Sequence, residues 1–282
     1  MQVVSPYARI VLPDLPLTPP SYRRPLEYQA PRDLYVSSAA YLGEILTYDN
    51  RKFQSGGVTI YTGFADQGVI TLDANGNLYV SNAGEVYEYA PYTNQLFFVY
   101  DPLVAIDMAT DIRENLYVDT GSQVVEYPQG SGTISNACEV EGTTGVTVGR
   151  NGAVFVAFGS SGIGRIAEFP GGLAGCNGIL LGAKFELTGG MAVDKAGNLI
   201  VCDQIAGTVD IVPPPYTTIS RTINSPGQPL HVTLDKGNRR IFVEDGACRV
   251  VQVLDYPSGT LVTELSGIHE VRGVVDGPNA VY

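Results

Sequence analysis

One unit of about forty residues recurs along most of this 282-residue chain, and it limits the possible folds more than any other feature. Each copy opens with a short apolar strand that ends in Asp or Gly, passes through a Gly/Asn turn, and continues into three further strands. The strand-ending residues recur at intervals of 34 to 45 residues: Asp73, Asp107, Gly149, Asp194, Asp235 and Asp276. Four strands at such a period are typical of one blade of a β-propeller.

The residue types within the unit also favour β-structure. The clearest turn, residues 73–77, reads D-A-N-G-N, in which Gly and Asn accept the positive φ that other residues avoid. Because an Asp recurs at this position in five of the six units, we interpret these carboxylates as turn caps and not as catalytic groups. The third strands end in aromatic residues that we expect to pack between blades: Tyr48, Tyr89, Tyr127, Phe169 and Tyr256.

Five complete units and one divided unit predict six blades. Residues 32–63 supply a second, third and fourth strand but no first strand, whereas the C-terminal segment VRGVVDGPNAVY supplies a first strand ending at Asp276. We therefore predict an all-β, six-bladed propeller over residues 32–282, with four-stranded antiparallel blades and a C-terminal strand that joins the N-terminal blade. This closure removes exposed sheet edges. The proline-rich segment 1–31 is expected to form an extended arm.

Charge and hydropathy exclude some classes of partner. The net charge of −12 argues against nucleic acid, because phosphate binding needs clustered Lys and Arg. The strongest apolar run, QLFFVY, stops at Asp101 and Pro102 and is too short for a membrane helix. No signal-peptide pattern is seen, and we interpret the chain as a secreted, periplasmic or cell-surface protein whose signal has been removed. We expect a monomer.

The four cysteines form no C-x-x-C pair, which excludes a zinc ribbon and a thioredoxin-like motif. Cys138 and Cys176 fall near the outer edges of neighbouring repeats, so they form either a disulfide or two buried free thiols. We expect Cys202, which lies inside a strand, to be a buried free thiol. The fourth is Cys248.

Two of the units, GVITLDANGNLYV and GMAVDKAGNLIV, resemble NHL repeats. They are also similar to blades of the gluconolactonase/regucalcin superfamily and of virginiamycin B lyase, over residues 32 to 282. The general pattern resembles secreted bacterial NHL-type propellers. The resemblance implies a six-bladed fold with a site on its top face, and it implies either a binding module or an enzyme, because such blades carry both.

In propellers of this kind, the starts of the first strands and the ends of the second strands form the top face. The sequence places the first-strand starts at Val69, Leu103, Gly145, Gly190, His231 and Arg272. It places the second-strand ends at Ser38, Asn82, Thr120, Phe158, Asp203 and Asp245. Residues that break the repeat are the best candidates for a site, and the predicted ligand-binding residues on one side of the channel mouth are Asp203, His231, Glu244, Asp245 and Arg272.

Two functions follow as hypotheses. The first is a non-enzymatic module that binds a protein, a glycan or a small molecule on its top face. The second is a metal-dependent hydrolase or lyase acting on a lactone-like substrate. The resemblance implies that Asp203 and Asn82 would hold the divalent cation, calcium or zinc, with His231 or Asp245 as the base. No Glu stands at a first-strand start, so the family's ligand set is incomplete and the sequence favours binding over catalysis.

Overall fold

The computed structural model describes residues 33–38, 43–49, 58–62, 64, 67–91, 95–100, 104–160, 162–225, 227–268 and 270–276. The segment expected to form an N-terminal arm lies outside these residues, and so does Leu103. Within the described ranges, no helix is long and apolar enough to span a membrane.

The described chain contains 24 strands and one 3₁₀ helix, Ala174–Cys176. The strands are β1 (Asp33–Ser38), β2 (Glu44–Asp49), β3 (Val58–Thr62), β4 (Gln67–Leu72), β5 (Leu78–Asn82), β6 (Glu85–Tyr89), β7 (Leu96–Tyr100), β8 (Asp107–Thr110), β9 (Leu116–Asp119), β10 (Gln123–Tyr127), β11 (Asn136–Glu139), β12 (Thr143–Val148), β13 (Val154–Ser160), β14 (Ile163–Phe169), β15 (Ile179–Leu180), β16 (Thr188–Val193), β17 (Leu199–Asp203), β18 (Thr208–Val212), β19 (Arg221–Asn224), β20 (Pro229–Leu234), β21 (Arg240–Asp245), β22 (Val250–Asp255), β23 (Leu261–Leu265) and β24 (Val271–Asp276).

These strands form six antiparallel sheets of four strands each, which confirms the predicted six-bladed propeller. From the inner to the outer strand, blade 1 is β24-β1-β2-β3, blade 2 is β4-β5-β6-β7 and blade 3 is β8-β9-β10-β11. Blade 4 is β12-β13-β14-β15, blade 5 is β16-β17-β18-β19 and blade 6 is β20-β21-β22-β23. We call the side on which the inner strands begin the upper face, and the side on which they end the lower face.

Blade 1 closes the ring in the predicted way. The C-terminal strand β24 pairs antiparallel with β1, with Leu34 opposite Asp276 and Ser37 opposite Gly273. The inner strand of each blade contacts the inner strands of its two neighbours, including β20 with β24. The first and last strands of the ring therefore lie in the same sheet, and β24 supplies the inner strand that blade 1 otherwise lacks.

The hydrophobic core is divided into six clusters, each formed by the facing surfaces of two neighbouring blades. The aromatic residues at the ends of the third strands lie in these clusters, as predicted: Tyr48, Tyr89, Tyr127, Phe169 and Tyr256. The hydroxyl of Tyr256 on blade 6 also donates a hydrogen bond to Oδ2 of Asp194 on blade 5, at 2.6 Å.

Carboxylates cap the turns between first and second strands. Oδ1 of Asp73 accepts hydrogen bonds from the backbone N–H groups of Asn75 and Asn77, both at 2.9 Å. Oδ1 of Asp194 accepts the equivalent bonds from Ala196 and Asn198, both at 2.8 Å. The repeated Asp is therefore a structural residue in these blades.

The third blade corrects one prediction. The turn cap is Asp111, whose Oδ1 accepts N–H groups from Arg113 and Asn115, and not Asp107, which lies inside the inner strand β8. The assignment of Leu103 as a first-strand start was wrong by the same four residues. The turn was missed because Glu114, with φ of 65°, occupies the position at which other turns have glycine.

Cys138 on β11 forms a disulfide with Cys176, and their Cα atoms are 5.4 Å apart. The bond joins the outer strand of blade 3 to the 3₁₀ helix that follows the third strand of blade 4. Cys202 is a buried free thiol, as expected, whereas Cys248 is exposed and belongs to no disulfide.

The six inner strands surround a central channel that contains a cavity of about 220 Å³. Its walls are mainly aliphatic and threonine side chains, with contributions from every blade. His231 lies at the upper end of this lining, because it precedes Val232, Thr233 and Leu234 along β20. The upper mouth of the channel is where the polar residues come together.

Candidate binding site at the channel mouth

A histidine–aspartate pair crosses the upper mouth of the channel. Nε2 of His231, on blade 6, lies 3.3 Å from Oδ1 of Asp107, on blade 3. Blades 3 and 6 are opposite each other in a ring of six. The Asp107 carboxylate also accepts the N–H groups of Met108 at 2.8 Å and Val146 at 3.0 Å, so it is fixed to blades 3 and 4. We call this pair the His231–Asp107 bridge.

Two glycines make room for the bridge. Gly145 and Gly190 occupy, in blades 4 and 5, the positions equivalent to Asp107 and His231. A Cβ atom on Gly190 would lie 2.5 Å from Cδ2 of the His231 ring, and one on Gly145 would lie 3.3 Å from Oδ2 of Asp107. Any larger residue at position 190 would displace the imidazole, so the bridge depends on that glycine.

Two buried carboxylates flank the bridge. Asp119 is the cross-strand neighbour of Asp107, and Glu244 is the cross-strand neighbour of His231. Their exposed fractions are 0% and 3%. Oδ1 of Asp119 accepts the Thr143 hydroxyl and the Gly121 N–H, but its buried Oδ2 has no hydrogen-bond partner.

The bridge and its flanking groups have further unsatisfied capacity. No residue in the described part of the chain donates a hydrogen bond to the Glu244 carboxylate. Nδ1 of His231 is likewise buried without a partner. Buried polar atoms in native proteins are normally paired, so these atoms indicate a place where a ligand or water supplies the missing bonds.

Burial sets the protonation behaviour of this cluster. It raises the pKa of Asp119 to about 7, against the opposing effect of the hydrogen bonds from Thr143 and Gly121. It also raises the pKa of Glu244 to about 7, against the opposing charges of His231 and Arg272. Burial disfavours the imidazolium form of His231, but the neighbouring Asp107 carboxylate outweighs it and raises the pKa of His231 overall. The cluster therefore exchanges protons near neutral pH.

Cys202 lies on the inner side of the same cluster and is fully buried. Burial, followed by the negative charges of Glu244 and Asp107, raises the pKa of its thiol. Because the thiolate is the nucleophilic form, this cysteine is held in its unreactive state.

Asp203, one of the predicted ligand-binding residues, is engaged by backbone groups. Its Oδ2 accepts the N–H of Glu186 at 2.7 Å, and its Oδ1 accepts the N–H groups of Leu187 at 3.1 Å and Ala206 at 3.2 Å. The carboxylate thus ties the connection between blades 4 and 5 to the hairpin that follows β17.

Asp245 occupies the equivalent place in blade 6. Its Oδ1 accepts the N–H groups of Gln228, Ala247 and Cys248 at 2.9–3.2 Å, whereas its buried Oδ2 has no partner. This oxygen faces Gly227, at which a Cβ atom would lie 2.0 Å away. Backbone therefore packs directly against the one free oxygen of Asp245.

The other predicted site residues are more dispersed. Arg272 is half-exposed and forms an ion pair with Glu270. Asn82 ends β5 on blade 2, and Asp203 ends β17 on blade 5. Among the residues that the structure describes, no three His, Cys, Asp or Glu side chains are grouped so as to hold a metal ion. The assignment of a cation to Asn82 and Asp203 stays a prediction.

Of the predicted residues, the fold brings His231 and Glu244 into one cluster, with Arg272 near enough to act on Glu244 through its charge. Sequence reasoning missed Asp107 and Asp119. Aligning the third unit on Asp111 would have placed Asp107 at the position of His231, which in blade 1 belongs to Gly273 and not to the predicted Arg272. Asp119 ends β9 and, like Asp107, is a buried carboxylate of blade 3.

Comparison with known proteins supports the fold alone. No protein-family model matches the sequence, and no curated protein matches it. A chain in a crystal structure of a nidogen/laminin complex aligns with a TM-score of 0.71 at 12% identity, covering 87% of this chain and 97% of that one. A protein of unknown function from Bacteroides caccae aligns with a TM-score of 0.63 at 13% identity, covering 88% and 99%.

A third solved structure, the β-propeller domain of Cps50 (Swd1) from Myceliophteria thermophila, aligns with a TM-score of 0.57 at 10% identity over 72% of both chains. At these identities the likeness extends to architecture and not to activity. The NHL assignment stays a prediction, and the chain is a six-bladed β-propeller similar in fold to the nidogen/laminin complex chain and to the Bacteroides caccae protein.

Proposed function

We propose that this protein is an extracellular binding module that receives a cationic group of its partner at the upper mouth of the channel. The observation that carries the proposal is the pair of buried carboxylates beside the His231–Asp107 bridge: Oδ2 of Asp119 has no hydrogen-bond partner, and no residue in the described part of the chain donates a hydrogen bond to Glu244. An ammonium or guanidinium group would supply both the missing N–H donors and the compensating charge.

The charge balance of the cluster supports a cation. Three carboxylates, those of Asp107, Asp119 and Glu244, face a single imidazole, and the nearby Arg272 is already paired with Glu270. Buried carboxylates without a full set of partners are unfavourable, and a bound cation stabilises their ionised forms. Binding is therefore expected to strengthen as the pH rises through 7.

Two further observations favour an extracellular interaction module. A disulfide such as Cys138–Cys176 forms and persists mainly in oxidising compartments. The nidogen/laminin structure to which the fold is similar is a complex of two proteins. A partner protein that presents a Lys or Arg side chain to the channel mouth is consistent with both.

The test is calorimetric titration of the full chain with arginine amide, a free cation, and with the tripeptide Gly-Arg-Gly, at pH 8 and low salt. We expect measurable binding that weakens about tenfold or more in Glu244→Gln. Tighter binding of the tripeptide than of arginine amide would indicate a protein partner, and the reverse order a small amine ligand.

The matched control is Glu264→Gln, which removes an exposed carboxylate from β23 of the same blade. This variant is expected to bind like the parent protein. Equal weakening in Glu244→Gln and Glu264→Gln, or the absence of binding to either probe, would exclude the cation site.

Metal-dependent lactone hydrolysis, the alternative suggested by the resemblance, has less support. It requires Asn82 and Asp203 to share an ion, whereas Asp203 already uses both carboxylate oxygens to accept backbone N–H groups. The near-neutral pKa values of Glu244 and Asp119 are the feature that would suit an acid or a base, and they need no metal.

A further inference from the structure

A second polar cavity lies on the lower face, between blades 3 and 4. Its volume is about 390 Å³, within the range of roughly 300–1,000 Å³ that is typical of small-molecule sites. Its walls are the turn between β8 and β9, the turn between β12 and β13, and the segment 170–174 that follows β14. We call it the lower groove.

The lower groove lies where the chain departs from its own repeat. Between blades 5 and 6, the Tyr256 hydroxyl reaches Asp194 and links the two blades. Between blades 3 and 4, the equivalent aromatic is Phe169, which has no hydroxyl to offer Asp111. The hydroxyl–carboxylate contact is therefore absent at the blade interface that carries the groove.

A glycine also keeps the lower groove open. Gly171 lines it, is exposed, and has no atom within 4 Å of the position that a Cβ would occupy. Its φ lies outside the left-handed range, so neither backbone conformation nor close packing requires glycine there. The missing side chain leaves space at the edge of the cavity.

The charges of the lower groove are unequally satisfied. The Asp111 carboxylate accepts two backbone N–H groups and the Asn115 amide. The Glu126 carboxylate accepts a hydrogen bond from Asn136, and the single proton of the Tyr117 hydroxyl lies within reach of both carboxylates. The anionic groups that line the cavity are thus occupied by donors within the protein.

The two arginines that line the same cavity are not occupied. Arg113 and Arg150 are exposed, and neither guanidinium group contacts an acceptor in the described part of the chain. Five of the eight arginines in the described ranges do engage an acceptor through the guanidinium group. Two unpaired cations at one cavity are notable in a protein with a net charge of −12.

We propose that the lower groove binds a small organic carboxylate, with Arg113 and Arg150 as the groups that hold it. Guanidinium groups match the planar geometry of a carboxylate and can donate two parallel hydrogen bonds to it. The lower groove opens on the opposite face from the channel mouth, so this site is independent of the cation site proposed above. The carboxylate belongs either to a free acid or to a uronic acid unit of a sugar chain.

Calorimetric titration with glutarate, a free diacid, and with digalacturonate, a sugar acid, tests the proposal and separates the two sources. The parent protein is expected to bind at least one probe, with the preference identifying the source. Arg113→Gln and Arg150→Gln are each expected to weaken that binding about tenfold or more. Gly171→Phe is expected to block the cavity without changing its charge.

The matched control is Arg249→Gln, which removes an exposed, unpaired arginine from the upper face. Melting temperatures close to that of the parent protein would show that each variant is folded. The proposal is overturned if neither probe binds, if the Arg113 and Arg150 variants bind normally, or if Arg249→Gln weakens binding to the same extent.

Discussion

The Tyr256 hydroxyl lies 2.6 Å from Oδ2 of Asp194, although the two residues belong to neighbouring blades. The contact joins the aromatic residue at the end of one blade's third strand to the turn-capping carboxylate of the blade before it. Burial, followed by this contact, raises the pKa of Tyr256, so the hydroxyl stays a donor over the whole physiological range.

Tyr256→Phe is expected to lower the free energy of unfolding by about 1–2 kcal/mol, because the buried Asp194 carboxylate loses a hydrogen-bond donor. Denaturant unfolding measures this loss. In a double-mutant cycle with Asp194→Asn, the coupling energy should account for most of it. A coupling energy near zero would mean that the contact does not hold blades 5 and 6 together.

Stability is expected to fall as the pH rises from about 4 to about 8. In the folded protein the pKa of Glu244 is about 7 instead of 4.5, and that of Asp119 is about 7 instead of 3.8. A carboxyl group with a raised folded pKa gives stability that is complete below its unfolded pKa and lost as the pH rises through the folded value. His231, whose pKa is also raised, acts in the same direction.

Melting temperatures across this pH range give the measurement. Glu244→Gln should flatten the dependence and, above pH 7, recover roughly 2–3 kcal/mol that the buried carboxylate costs the folded state. Glu264→Gln, at an exposed site, should retain the slope of the parent protein. An unchanged slope in Glu244→Gln would contradict a raised pKa at that position.

Gly190→Ala should break the His231–Asp107 bridge without touching either residue, because the new methyl group would occupy the position of the imidazole. Separated from Asp107 but still buried, His231 should show a lower pKa than in the parent protein. The sequence contains two histidines, so NMR titration can follow each one. We also expect about 1–3 kcal/mol of destabilisation from overpacking.

Gly171→Ala is the matched control for this variant, because its new methyl group would face open space. It should leave both the His231 titration and the melting temperature unchanged. If Gly190→Ala titrates like the parent protein, the imidazole does not depend on Asp107 for its charge.

Removing the disulfide should destabilise the protein by up to about 4 kcal/mol, the chain-entropy value for a crosslink that closes a loop of 38 residues. Cys138→Ser, compared with the parent protein in a denaturant titration, gives the value. Cys248→Ser, at an exposed cysteine outside the disulfide, keeps a hydroxyl donor near Asp245 and should change the stability much less. A loss of equal size in both variants would argue against a specific role for the crosslink.

Asp203→Ala should lower the melting temperature by the same amount in EDTA, calcium and zinc, because three backbone N–H groups lose their acceptor whether or not metal is present. The metal-dependent alternative would be favoured if calcium or zinc raised the melting temperature of the parent protein by roughly 5–10 °C and had no effect on Asp203→Ala.

The sequence was sufficient to predict the blade count and the closure, because the same carboxylate caps the same turn in successive blades. Asp73 and Asp194 accept equivalent backbone N–H groups. Because the turn needs this acceptor in each of these blades, Asp recurs at the same position of the repeat. The third blade was placed incorrectly because Glu114 adopts the left-handed conformation that its neighbours assign to glycine. The left-handed conformation of Glu114 could not be predicted, because glutamate does not normally favour it.

The channel-mouth cluster was predicted in part. His231 and Glu244 stand out because they break the repeat, and they do lie together. Asp203 and Asp245 break it in the same way, yet their oxygens serve loop N–H groups. Whether a carboxylate faces a cavity or a loop backbone depends on loop conformation, which the order of residues does not reveal.

The pairing of β24 with β1 fixes the face of the propeller at which the chain enters and leaves the ring. Leu34 and Asp276 lie opposite each other at the lower face, where other blades have a short turn between their first and second strands. The chain therefore enters the ring at the start of β1 and leaves it at the end of β24, and these two points are adjacent. Both crossing points thus lie on the face that carries the lower groove, opposite the face that carries the channel mouth.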